Sequence, residues 1–134
     1  MTLDISSFDK AIAKLGEGLA RYERETNDDQ IRDGLIHRFE VTYERGLKML
    51  RRYMDWASAT PGDYDEMPFQ DFIRSANEQG LLLGDLSDWR AYRNMRNITK
   101  QTHDESKALE VVTSIPIFLA EAIFMRDQMR RRLG

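Results

Sequence analysis

Apolar residues recur at every third or fourth position along almost the whole chain, and the every-second-residue alternation of a half-buried strand is nearly absent. Side chains three and four residues apart share one face of an α-helix, so this spacing commits the chain to packed amphipathic helices. Phe8, Ile12, Leu15, Leu19 and Tyr22 form one stripe, with Ser6 or Ser7 as N-cap, and predict a first helix over about 7–26. Asn27, Asp28 and Asp29 break it. Ile31, Leu35, Phe39, Tyr43, Leu47, Leu50 and Met54 then carry a long second helix, which must stop before Thr60-Pro61-Gly62-Asp63.

Pro68 at a first turn opens a short third helix bearing Phe69, Phe72, Ile73 and Ala76, closed by Gly80. Asp85 or Ser87 caps a fourth, with Leu86, Trp89, Tyr92 and Met95, which fades near 97–99. Thr102-His103-Asp104-Glu105 has the form of a capping box. The helix behind it carries Leu109, Val112, Ile115, Leu119, Ile123 and Met129, and Pro116 inside it predicts a kink rather than a stop. The expected fold class is all-α: an antiparallel up-and-down bundle of four to five helices, as a single domain over 1–134.

Hydrophobic residues at 41% and charged residues at 32% are those of a globular, soluble chain. The N-terminus lacks the basic and apolar segments of a signal peptide, and no uninterrupted apolar run approaches the length of a membrane span. The cytoplasm, with no membrane association, is the expected location. Without cysteine there is neither a disulfide framework nor a thiolate nucleophile or metal site. The net charge of −3 argues against coating nucleic acid by bulk electrostatics, while leaving room for a local phosphate site. The four arginines of Arg126–Arg132 read as a solvated helix end that complements the helix dipole.

The chain has only two histidines, His37 and His103, and histidine is the residue type suited to proton transfer near neutral pH. His37 lies off the core stripe of the second helix and reads as a partly exposed polar residue. His103 follows Arg96 after six intervening residues, including Asn97, Lys100 and Gln101, at a junction between helices. The Arg96 fork and the amides opening the next helix are suited to a phosphodiester, with His103 as general acid or base and no cofactor or metal required. The plainer alternative is that Arg96 pairs with a carboxylate such as Asp104 while His103 sits at a helix start. Glycine-rich phosphate loops, histidine pairs at ligand spacing and the Glu-x-x-His signature of di-metal bundles are all missing, and Glu40 and Glu44, one helical turn apart, read as surface charge.

The run Ile31-Arg32-Asp33-Gly34-Leu35-Ile36-His37-Arg38-Phe39-Glu40-Val41-Thr42-Tyr43-Glu44, with Leu47-Lys48 and Leu50 after it, resembles the second-helix signature of the nucleotidyltransferase substrate-binding proteins of the HEPN superfamily. The resemblance continues through Arg74–Leu81, Trp89 and Tyr92–Thr99, and so covers most of the chain. It implies a helical homodimer bound to a minimal nucleotidyltransferase antitoxin, in an assembly up to a heterotetramer, with this chain as the ribonuclease toxin. The family motif is arginine, usually asparagine, four to six further residues and histidine, with the two copies meeting in a cleft between protomers. Carried onto this chain it implies Arg96 and His103 as catalytic residues acting on RNA, and Asn97 and Gln101 as binding residues.

The chain departs from the usual form, which would put histidine at 101 and tyrosine at 103, where Gln101 and His103 stand. Glutamine hydrogen-bonds a phosphate but exchanges no proton near neutral pH. Either His103 has taken over acid–base work, or the chain is a non-catalytic substrate-binding subunit. In some members AMP is transferred to the tyrosine two residues beyond the histidine. That acceptor is missing here, and Tyr92 lies earlier in the motif. Asp33, Arg38 and Glu40 match polar positions of the family's second helix, and read as bundle or partner contacts, or as ordinary helix salt bridges.

Overall fold

The computed structural model describes residues 3–101 and 103–134. The helices are α1 (Ser6–Arg24), α2 (Asp29–Ala57), α3 (Phe69–Glu78), α4 (Leu86–Ile98) and α5 (Glu105–Leu133), with a 3-10 turn at Thr99–Gln101 between the last two. No strand occurs among the described residues.

Cross-helix contacts give the directions. Thr42 Oγ1 donates to the Ala11 carbonyl at 3.2 Å and Arg38 to the Lys14 carbonyl at 2.8 Å, so partners on α2 fall as those on α1 rise, and the two helices are antiparallel. Phe39 meets Phe118, and Gly46 lies beside Met125, which makes α5 parallel to α2. Trp89 reaches Glu121 and Tyr92 reaches Phe118, which makes α4 antiparallel to α5. The result is an up-down-up-down arrangement of α1, α2, α4 and α5, with the short α3 set between the second and third members.

Helix starts follow local chemistry. Asp28 accepts the Gln30 and Ile31 amides, and Asp85 forms a reciprocal capping box with Asp88. At α1 neither Ser6 nor Ser7 is the N-cap. Both lie inside the first turn, where Asp4 accepts the Ser6 amide at 2.9 Å. At α5 the helix begins at Glu105 with Asp104 as cap, accepting the Ser106 and Lys107 amides, and the expected capping residue Thr102 lies outside the described residues. α5 runs on through Pro116. Gly80 adopts a φ of +74°, the left-handed conformation that ends α3 without a Cβ clash.

The core is one cluster of side chains from all five helices, including Phe8, Leu15, Leu35, Phe39, Leu50, Phe72, Ile73, Trp89, Ile115 and Phe118. Phe118 is its aromatic centre, within 6.3 Å of the rings of Phe39, Tyr43, Trp89 and Tyr92. Of the expected stripe on α5, Val112, Ile115 and Met129 are buried and Leu119 packs against the core, but the buried face is centred on other residues. Ala108, Val111, Ile115, Phe118, Ala122 and Met125 are buried, whereas Leu109 is 45% and Ile123 36% exposed. Residues 108–125 are apolar on almost every side, so periodicity alone does not select the buried face. By length and composition α5 is long and apolar enough to cross a membrane. Here its inner residues form the core.

The arginine tail also departs from expectation. Arg126 and Arg130 both reach Asp9 Oδ1, at 2.9 and 3.2 Å, and tie the end of α5 to the start of α1. A carboxylate on the facing helix recruits two of the four cations that the sequence assigns to solvent.

Candidate functional site: the junction between α4 and α5

Arg96 lies in the last turn of α4, half-buried, and Asn97 beside it is exposed. The 3-10 turn that follows carries Lys100 and Gln101, both exposed, and His103 is exposed just before the Asp104 cap. The Asp104 amide donates to the Gln101 carbonyl at 3.0 Å, which folds the connection back into the next helix. All of the motif side chains therefore stand on one short polar connection outside the core.

Two links anchor this connection to α2. The Arg96 guanidinium donates to the Glu44 carboxylate, and the Thr99 hydroxyl, buried, lies 2.6 Å from Glu40 Oε2 and 2.7 Å from the Arg96 carbonyl. Glu40 and Glu44 are one turn apart on α2, so both face α4. The carboxylate paired with Arg96 is thus Glu44 rather than Asp104, because Asp104 is committed to capping α5. Glu44 holds the Arg96 guanidinium even more firmly protonated than usual. Glu44, read from the sequence as surface charge, and Glu40, which the family resemblance gave as a bundle or partner contact, are the residues that place Arg96 and the turn behind it. Their four-residue spacing was the available signal.

Of the remaining family positions, Arg38 makes a bundle contact and Asp33 an ordinary salt bridge within its own helix. Arg38 donates to the Lys14 carbonyl of α1, while the exposed Asp33 accepts Nε of its buried neighbour Arg32 at 3.3 Å. His37 is exposed on α2. Tyr92 is buried on the inner face of α4, with its hydroxyl pushed up to about 12 by desolvation, and so presents no open acceptor for group transfer. Among the described residues no cluster of three or more histidine, aspartate or glutamate side chains has metal-holding geometry.

Glu121, which no sequence pattern singled out, is a carboxylate in the middle of α5 with 1% of its surface exposed. It accepts the Leu83 and Gly84 amides, each at 2.7 Å, and Trp89 Nε1 at 2.8 Å. It pins the segment that leads into α4, and thereby sets the register of the helix that carries Arg96.

The family model described as nucleotidyltransferase substrate binding protein like matches residues 3–131. A Haemophilus influenzae protein named probable ribonuclease HepT is 41% identical over 104 residues, which is 78% of this chain and 70% of that protein. A solved Haemophilus influenzae structure, described as revealing the fold of a substrate-binding domain of a nucleotidyltransferase, superposes with a TM-score of 0.87 at 34% identity. It covers 95% of this chain and 99% of its own. Five packed helices and a family match over nearly the full length lead to one assignment: the chain belongs to the nucleotidyltransferase substrate-binding protein family, a HEPN-type domain.

Proposed function

We propose that this chain is the toxin of a two-component pair with a minimal nucleotidyltransferase, and that it cuts RNA without a metal through Arg96 and His103. The observation that carries the reading is the α4–α5 junction, where Arg96, Asn97, Gln101 and His103 stand together outside the core on a connection anchored to α2. The 41% identity to a protein named probable ribonuclease supports it. Arg96 holds the scissile phosphate, Asn97 and Gln101 hydrogen-bond its flanks, and His103 takes the proton from the ribose 2′-hydroxyl as that oxygen attacks phosphorus. The bond to the 5′-oxygen breaks, that oxygen takes up a proton, and a cyclic phosphate remains on the upstream fragment.

The same reading includes a homodimer. Leu109, Pro116, Ile117 and Ile123 form an exposed apolar stripe along α5 that begins at the junction end of the helix, with Ile117 65% exposed. Covering it with a second copy would bring two junctions into one assembly.

Expression of the chain alone should slow growth, and purified protein should cut RNA in excess chelator. Arg96→Ala and His103→Ala should each remove both effects. A harmless chain, or mutants as active as the parent, would refute the ribonuclease. The second reading, a non-catalytic subunit that holds substrate for the nucleotidyltransferase, is favoured by Gln101 at the position where near relatives place histidine. Cleavage that depends on His103 rules it out.

A further inference from the structure

Three observations meet at Arg96. Its guanidinium is the half-buried cation of the junction, and the carboxylate it binds comes from another helix, 52 residues away in sequence. Glu44 is itself half exposed, with 49% of its side chain open, so it can leave without uncovering any core surface. The neighbouring links are made differently. Glu40 is engaged with the buried Thr99 hydroxyl, and Arg93 lies 4.6 Å over the Phe69 ring. Among the described residues the Glu44 carboxylate therefore bonds only Arg96, and Arg96 is the group that an RNA phosphate requires.

We infer that Glu44 is a carboxylate stand-in for the phosphate: it occupies Arg96 in the free chain and lowers RNA affinity until the substrate displaces it. The inference rests on the proposed role of Arg96 in holding phosphate. An arginine–carboxylate pair open to solvent on its carboxylate side is weak, so its competition is modest and readily reversed by a polyanion. Phosphate entry must also bring negative charge up to Glu44 and Glu40 on the same face of α2, a cost that neutralising Glu44 removes.

The test uses the full chain and a mixed-sequence 2′-O-methyl RNA, which lacks the attacking hydroxyl and reports binding alone by fluorescence anisotropy. Glu44→Gln, which keeps shape and helix propensity, should bind about threefold to fivefold tighter and show a steeper salt dependence. The gain should vanish when Arg96→Ala is added. Glu40→Gln, which removes the same charge without freeing Arg96, should gain less than half as much. The inference is overturned if Glu44→Gln binds no tighter than the parent, or binds undetectably, or keeps its gain without Arg96, or is matched by Glu40→Gln. A gain that depends on Arg96 in a chain unable to cut ordinary RNA would uphold the stand-in and refute the ribonuclease. Cleavage through Arg96 and His103 with no gain in Glu44→Gln would do the reverse.

Discussion

Trp89 Nε1 donates to Glu121 Oε1 at 2.8 Å across the α4–α5 interface, in a carboxylate site where every nearby donor is an N–H. The indole alone would leave a buried charge poorly compensated. The Leu83 and Gly84 amides complete the shell, and among the described residues no buried side-chain nitrogen or oxygen lacks a partner.

Glu121→Gln should therefore destabilise the fold by about 1–3 kcal/mol at neutral pH, because the new amide NH2 must face an N–H donor and one bond is lost. Urea unfolding followed by tryptophan fluorescence measures it. An unchanged midpoint would show that the segment at 83–84 does not depend on this carboxylate.

Burial raises the Glu121 pKa, and the three N–H donors offset this only in part. A carboxyl whose folded value exceeds its unfolded one holds its proton longer in the native state, so stability falls as pH rises through that interval. Its contribution is fully present below the ordinary glutamate value of about 4.3 and is lost as pH passes the raised folded value. The stability difference between parent and Glu121→Gln should accordingly widen as pH is lowered from about 7 toward about 4. A difference that narrows over that range would mean the donors outweigh desolvation.

Phe118 has no exposed surface and touches four aromatic rings drawn from α2 and α4. Phe118→Ala should cost about 3–5 kcal/mol, the usual range for emptying such a site. A loss below about 1 kcal/mol in chemical denaturation would mean that the cluster closes over the gap.

Ile117, 65% exposed at the middle of the α5 stripe, should be indifferent to the monomer fold and decisive for pairing. Ile117→Glu should leave helical circular dichroism unchanged while halving the mass measured by light scattering. A parent chain that is already monomeric would refute the α5 dimer.

Much of the architecture was legible in the residues. The stripes on α1 and α2 are one-sided, so Phe8, Leu15, Leu35 and Phe39 could be assigned to the core from spacing alone, and all are buried. Asp28 and Asp85 mark helix starts because a short side-chain oxygen is what the exposed amides need. The α5 face could not be read that way. With apolar side chains on nearly every side, only contact with Phe39, Tyr43 and Tyr92 selects Phe118 for the inside and leaves Ile117 outside.

The site divides along the same line. Residue type and order determined that Arg96, Asn97, Gln101 and His103 fall on one polar connection between helices, because capping and periodicity are local properties of the chain. Which groups surround that connection was decided by tertiary structure alone. Glu44 meets Arg96 and Glu40 meets Thr99 across 52 and 59 residues, and Glu121 reaches back to Leu83, Gly84 and Trp89. No local rule brings such charges together. Helix packing does, by setting the faces of α2, α4 and α5 against one another.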